Sequence, residues 1–284
     1  MAISSALGSS ALLPAGLGFR NVLINGDFAI NQRAYTSASN LASGSYGFDR
    51  WKSTFTNTTL TFTSAPQGQM VTINSGGSIE QVIEQANVTA GTYILSWEGT
   101  ATGRVYNTGS TPPSFASSPV RVVLDGTANV EVEFTASGGT RTLWRTQLER
   151  NSQPTPFEQI PIGVETEMCQ RYFRIIPSGI LSAYNPYWNV ALSGGDQRIM
   201  YPFSTQMRST PSVLSSAGAV THSFQYRSYN TGVINYNLES VTGNQDVTGI
   251  FGMAYYSTNN GGGNLPISYT VGTNNNPVWV SAEL

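Results

Sequence analysis

The sequence has little of what most enzyme sites are built from. It holds one cysteine, Cys169, and one histidine, His222, in 284 residues. A single cysteine excludes an intrachain disulfide. One cysteine with one histidine cannot assemble the usual zinc ligand sets. A Ser-His-Asp or Cys-His centre would have to be built on His222, and its neighbours Thr221 and Ser223 carry no such signature. Charge is scarce as well: Asp, Glu, Lys and Arg make up 11% of the chain, against roughly 25% in an ordinary soluble domain. Lys52 is the only lysine, and a net charge of -2 leaves no basic footprint for nucleic acid or an anionic membrane. No apolar run approaches the ~20 residues of a membrane span, so no membrane insertion is expected. No Lys or Arg precedes Arg20, so the first residues do not read as a secretory signal. P-loop, Rossmann glycine and nucleophile-elbow patterns are missing too.

What is present is Gly, Pro, Ser, Thr and aromatic residues, the last at 11%. That aromatic and β-branched content separates the chain from disordered sequences. From 20 to about 160 apolar residues recur every second position. Trp51, Ser53 and Phe55 alternate, as do Tyr93, Leu95 and Trp97; Val120, Val122 and Leu124; Val130, Val132 and Phe134; and Trp144, Thr146 and Leu148. Period-2 alternation puts one face in a core and the other in water, so Trp51, Trp97 and Trp144 are expected inside and Glu131 and Glu133 outside. Ser78 to Gln85 fits both periods, and its β-branched content favours a strand. Gly-rich turns punctuate the runs at 75–77, 87–91, 125–126 and 137–139. Short strands at this spacing predict a β-sandwich.

Gln153-Pro154-Thr155-Pro156-Phe157 breaks the pattern, because two prolines block helix and ladder alike. A boundary is expected at 154–163. Beyond it, 164–171 reads as a short helix with Glu165 and Glu167 near its positive end. Strands are then expected at 188–192, 197–203, 223–229, 233–238, 247–256, 267–271 and 278–282. The chain thus divides into an N-terminal arm (1–19), a first sandwich (20–160) and a second β-sandwich head (161–284), an all-β fold. The arm is apolar at Ile3, Leu7, Leu12, Leu13, Leu17 and Phe19 yet broken by Gly and Pro. It reads either as a frayed terminus or as a segment that orders on a partner.

Two stretches carry a resemblance. One runs Arg20-Asn21-Val22-Leu23-Ile24-Asn25-Gly26-Asp27-Phe28, through Asn31-Gln32-Arg33, to Tyr46-Gly47-Phe48-Asp49-Arg50-Trp51. The other comprises Gln147-Leu148-Glu149, Thr155-Pro156-Phe157-Glu158, Pro161-Ile162-Gly163-Val164-Glu165 and Cys169-Gln170-Arg171-Tyr172-Phe173. Together they resemble tail-fibre and other virion appendage proteins of tailed bacteriophages, marine phages included, and the likeness thins beyond 175. The resemblance implies a jelly roll similar to carbohydrate-binding modules, opened by the first stretch and closed by Gln-Leu-Glu, then a C-terminal β head. It also implies a structural calcium near Asp27, with Glu149 or Asp49 assisting. Read from the residues alone, Asp27 is a turn or hydrogen-bond residue.

Paired carboxylates occur at Glu131/Glu133, Glu165/Glu167 and Glu80/Glu84, and each pair has a plain structural account, so no enzyme is expected. Sugar recognition combines aromatic faces with amide and carboxylate edges. Tyr184, Tyr187, Trp188, Asn189 and Asp196 fit that description, and Tyr226, Tyr229 and Tyr236 form a second group. The same rings equally suit a core or a subunit interface. Expected partners are copies of the chain, as a homotrimer, other virion proteins through 1–19, and host-surface polysaccharide, with the protein on the virion surface. The alternatives are a purely structural capsid-fibre, decoration or tail component and, third, a glycan-degrading spike.

Overall fold

In the computed structural model the described residues are 19–176, 197–209, 211–215 and 278–284, with six further strands at 190–191, 223–228, 232–237, 240–243, 250–255 and 268–271. The arm, apart from Phe19, and His222 lie outside them.

Ten strands build the first unit. β1 (Asn40–Leu41), β3 (Thr58–Ser64), β4 (Gln69–Ile73), β6 (Gly91–Gly99), β8 (Val120–Leu124) and β10 (Arg141–Glu149) make a six-stranded sheet in the order β1-β3-β4-β10-β6-β8. β2 (Lys52–Ser53), β5 (Ser78–Ile83), β7 (Thr102–Asn107) and β9 (Val130–Thr135) make a four-stranded sheet, β2-β5-β9-β7. From β4 to β10 each strand lies in the opposite sheet from the one before, the crossover pattern of a jelly roll. Leu60, Val71, Ile73, Leu95 and Leu143 of one sheet meet Ile79, Val105, Val132 and Phe134 of the other, around Phe28, Phe48 and Trp51. Trp97 meets Phe134 edge-to-face at 5.0 Å.

The alternations Tyr93-Leu95-Trp97 and Val130-Val132-Phe134 point inward as expected. Ser78–Ile83 is a strand, followed by a single 3₁₀ turn at Gln85–Asn87. Three expectations need correction. Phe55 does not share the face of Trp51 and Ser53; it is 59% exposed. β2 ends at Ser53, whose hydroxyl donates to the Phe55 carbonyl at 2.6 Å and turns the chain. Trp144 is half-buried on the outer face. Leu143 and Leu148 are both fully buried although five residues apart, which strict alternation forbids. The register against β6 shifts between Trp144 and Gln147, and Arg145 adopts φ 49°, so a bulge changes the phase of β10. Glu133 is buried rather than solvated, beneath donors described below.

The second part begins with α1 (Ile162–Gln170), close to the expected helix. Its strands are β11 (Phe173–Ile176), β12 (Val190–Ala191), β13 (Gln197–Pro202), β14 (Ser212–Ser215), β15 (Ser223–Ser228), β16 (Gly232–Asn237), β17 (Ser240–Gly243), β18 (Ile250–Tyr255), β19 (Ser268–Val271) and β20 (Val278–Ser281). They pair antiparallel in three sheets: β11-β20-β14, β12-β13-β18-β17 and β16-β15-β19. The seven strands read from the sequence are all there. β11, β14 and β17 are additions. The described residues are all-β apart from α1 and the 3₁₀ turn.

Candidate functional site

The stretches that carry the resemblance converge on one seam, where α1, β11 and the last residues of the chain meet the sandwich. The opening segment is fastened to the closing one by side chains. Asn21 donates from Nδ2 to the Thr146 carbonyl at 3.0 Å and accepts at Oδ1 from the amides of Leu23 and Leu148. Glu158 accepts the amides of Arg20 and Asn21 at 2.6 and 2.8 Å. Glu149 accepts the Thr155 amide at 2.7 Å and its hydroxyl at 2.8–2.9 Å. Gln147 accepts the Glu158 amide at 2.7 Å. The Pro-rich break is therefore pinned to β10 at Thr155 and, just past its end, at Glu158.

The Asn25-Gly26-Asp27 turn sits beside it. Asn25 takes φ 59° and its buried side chain spans the Ile30 amide and the carbonyls of Ile30 and Asp49. A Cβ on Gly26 would lie 2.3 Å from the Thr146 carbonyl oxygen, so this close crossing requires glycine. The Trp51 indole donates to the Asn25 carbonyl at 2.9 Å. Glu165 of α1, buried, accepts the Asn25 amide. Burial pushes its carboxyl up to about 7, and the nearby charges of Asp27 and Glu158 push the same way. It stands in the first turn of α1, as expected from the sequence, and is buried there.

Two arginines complete the seam. Arg33 lies 3.6 Å over the Phe173 ring and Arg50 lies 3.6 Å over Tyr172. Both pair with Glu283, and Arg50 also donates to the Val82 carbonyl. Asp49 accepts the Gln32 amide at 2.6 Å and its side-chain amide at 2.7 Å. Burial raises the Asp49 carboxyl and Arg33 opposes the rise. Glu84 accepts from Arg171 and from the Tyr172 hydroxyl. Burial works to raise Glu84, but those donors and the charge of Arg171 bring it below its usual range. Burial raises Tyr172 to about 12. The sequence reading quoted Arg33 and Arg50 within motifs without assigning them a role, and nothing in the sequence marked Glu283 as their partner.

A second polar cluster covers the outer face of the four-stranded sheet. Register lines up Lys52, Glu80, Glu133 and Arg104 across its strands. Lys52 pairs with Glu80 at 3.0 Å. Arg104 donates to one Glu133 oxygen at 2.6 and 2.8 Å, while Ser78 and Thr54 donate to the other at 2.7 and 3.0 Å. The Arg104 guanidinium stacks 4.1 Å from Phe115. Each carboxylate of this row is met by its own cation, and those of the seam by donors of the fold. The arrangement fastens and shapes the chain.

Tyr184, Tyr187, Trp188, Asn189 and Asp196 lie outside the described residues, and Tyr226 and Tyr236 fall on β15 and β16. Asp27 accepts the Ala29 amide at 3.2 Å through Oδ1 and the Gln69 amide at 2.8 Å through its carbonyl. Gly68 packs against it so closely that a Cβ would sit 2.0 Å from the Asp27 carbonyl oxygen. No group of three His, Cys, Asp or Glu side chains suited to a metal ion occurs among the described residues.

No protein-family model matches the chain, and no curated protein does. Among solved structures, a family 61 carbohydrate-binding module (TmCBM61) in complex with beta-1,4-galactotriose is 14% identical, covering 46% of this chain and 99% of its own, at a TM-score of 0.28. A tandem of family 22 modules from Paenibacillus barcinonensis Xyn10C is 11% identical, covering 88% of this chain and 99% of its own, at 0.25. A cycloisomaltooligosaccharide glucanotransferase from a Paenibacillus species, complexed with cycloisomaltoheptaose, is 10% identical over 88% of this chain and 46% of its own, at 0.23. Scores this far below 0.5 establish no relationship.

Proposed function

We propose that this chain is a non-catalytic virion appendage protein of a tailed bacteriophage, a tail fibre or receptor-binding fibre. It is held in the particle by residues 1–19 and binds host-surface glycan through its β domains. One observation carries the reading. The stretches that resemble phage appendage proteins, 20–33, 46–51, 147–149, 155–158 and 161–173, are scattered in sequence yet gather in one seam between a jelly roll and a following set of strands. The resemblance is therefore to a folded joint, the feature an appendage needs to hold a distal head on a stem. Low charge suits subunits packed about a symmetry axis, as a homotrimer.

Immuno-gold labelling of particles combined with binding of the full chain to host-surface polysaccharide tests this. Label at a projecting appendage together with polysaccharide binding is the expected result. Particles without the protein would overturn the reading. A second reading has its own support: all the motif residues named in the seam are spent on internal bonds, as in a purely structural capsid-fibre, decoration or tail component. Label on the particle with no polysaccharide bound would select it.

A further inference from the structure

β8 is the outermost strand of the six-stranded sheet and pairs with β6 alone. The Trp97 amide donates to the Ser118 hydroxyl at 3.0 Å, so the odd-numbered residues of β6 point their backbone groups toward β8. Register sets Leu95 against Val120, Tyr93 against Val122 and Gly91 against Leu124. Those three residues of β8 are therefore spent on β6, and Arg121 and Val123 turn their N–H and C=O groups to the free edge. No backbone hydrogen bond reaches these groups among the described residues. The loop from β7 to β8 does not cover them. It folds onto β7, where Ala116 bridges Gly103 and Phe115 stacks with Arg104. Edge strands are usually blunted by a proline or a bulge, and β8 has neither. Val123, at 70%, is the most exposed large hydrophobic residue among those described.

We infer that this edge pairs with the β8 edge of a second copy of the chain, antiparallel about a two-fold axis at Val123. Charge selects the register. Only residues whose backbone groups face the edge can exchange hydrogen bonds, which leaves Arg121, Val123 and, next in line, Asp125. An axis at Arg121 sets arginine against arginine. An axis at Val122 sets Asp125 against Pro119, which has no N–H to give. An axis at Val123 sets Arg121 against the second copy's Asp125 at both ends, and Val123 against its own counterpart in the middle. Opposite charges directly across antiparallel strands stabilise the pair, and like charges oppose it. Arg121 and Asp125 are both exposed. Arg121 reaches the Thr92 hydroxyl at 3.5 Å and Asp125 accepts the Thr127 amide at 2.9 Å. Neither enters an ion pair among the described residues. The pairing joins the six-stranded sheets of two copies into one. It is independent of the virion and glycan readings, and beside a threefold axis it links two trimers.

The test is light scattering of the full chain at micromolar concentration and low salt, where exposed charges are least screened. The expected mass is an even multiple of 30.5 kDa. Arg121→Asp and Asp125→Arg each set like charges across the axis, weaken the contact about tenfold or more and halve the mass. An equimolar mixture of the two variants restores it, because each chain then meets the opposite charge. Mixing cannot repair a chain that has simply lost its fold or its turn at Asp125, so recovery supports the register itself. A single chain or a trimer in the wild type overturns the pairing. So does an even mass that both variants keep, or a mixture that stays apart. A mass that falls on deleting residues 2–18 and in neither charge variant also overturns it, and assigns the association to the arm.

Discussion

The two outer faces of the sandwich share a backbone pattern and are filled in opposite ways. On the four-stranded sheet the cross-strand row is Lys52, Glu80, Glu133 and Arg104. On the six-stranded sheet it is Thr61, Thr72, Thr142 and Thr100. The charged row is partly covered. Arg104 donates to the Pro113 carbonyl where the loop after β7 folds back and bridges Gly103 to Ala116, and the Lys52 ammonium reaches the Leu284 carbonyl at 3.1 Å. The threonine row faces water. The charged row thus fastens separate segments of the chain, while the threonine row leaves hydroxyls on open surface. The physics favours that use, since an exposed ion pair contributes only about 0–1 kcal/mol, while a desolvated, hydrogen-bonded pair is costly to break.

The largest effect expected from this comparison is at the seam. Arg50→Ala strips Glu283 of a partner, leaves the Val82 carbonyl without its donor and uncovers the Tyr172 ring. A loss of about 3–5 kcal/mol is expected, the cost of breaking a buried ion pair by removing one partner, although Arg33 still holds Glu283. Denaturant unfolding measures it, with Trp97→Ala, a core truncation of similar cost at about 3–5 kcal/mol, as the uncharged standard. An Arg50→Ala variant within 1 kcal/mol of wild type would mean that the seam is not held by its charges.

Next comes pH. Glu165 is raised from the usual 4.5 to about 7 by burial, with Asp27 and Glu158 adding to it. A carboxyl raised in the folded state favours the neutral form. Its contribution is fully present below about pH 4.5 and is lost as pH rises through about 7, a fall on the order of 3 kcal/mol. Glu165→Gln removes the titration and keeps an acceptor for the Asn25 amide. The difference in unfolding free energy between variant and wild type should therefore grow in the variant's favour from pH 5 to pH 8. A difference that stays flat over that range would show Glu165 to be solvated, and the seam open there.

Much of this was legible in the sequence, and the misses have physical causes. Tyr93, Leu95 and Trp97 alternate without a fault because β6 runs straight over those positions, so period 2 read them correctly. Trp144 was misplaced because a bulge at Arg145 is not visible in apolar periodicity. Glu133 read as a solvent residue, and the burial of Glu165 in its first turn went unread, because their covers, Arg104 with Ser78 and Thr54 for one and the Asn25 turn for the other, come from distant parts of the chain. Asn25-Gly26-Asp27 was readable as a turn since glycine and asparagine state a local backbone need. That Arg33 and Arg50 share Glu283, more than 230 residues away, has no local signal at all.

A smaller effect separates inner from outer tryptophans. Trp144→Ala gives up the bond from its indole to the Gln67 carbonyl and the stacking of Arg145 at 4.0 Å. It leaves the core untouched, so a loss of about 1–2 kcal/mol is expected, well short of Trp97→Ala. Equal losses at the two sites would mean that β10 keeps one phase and the bulge is wrong.

The smallest effects lie on β3, where the two sides of one strand can be compared directly. Thr58 points inward. Its hydroxyl donates to the Phe55 carbonyl at 3.1 Å and lies 3.3 Å from both the carbonyl and the amide of Ser78, all at a buried position. Thr58→Ala removes that partner from groups shielded from water, at about 1–2 kcal/mol. Thr61 points outward and is exposed. Thr61→Ala gives up only strand propensity and a cross-strand neighbour contact with Thr72, so it should stay within about 0.5 kcal/mol of wild type. Because successive side chains on a strand alternate faces, a slip of one residue would exchange the two results. Melting curves of the two variants side by side therefore check the register of β3. A costly Thr61→Ala beside a neutral Thr58→Ala would turn the threonine row inward and leave the outer face of this sheet to Leu60 and Phe62.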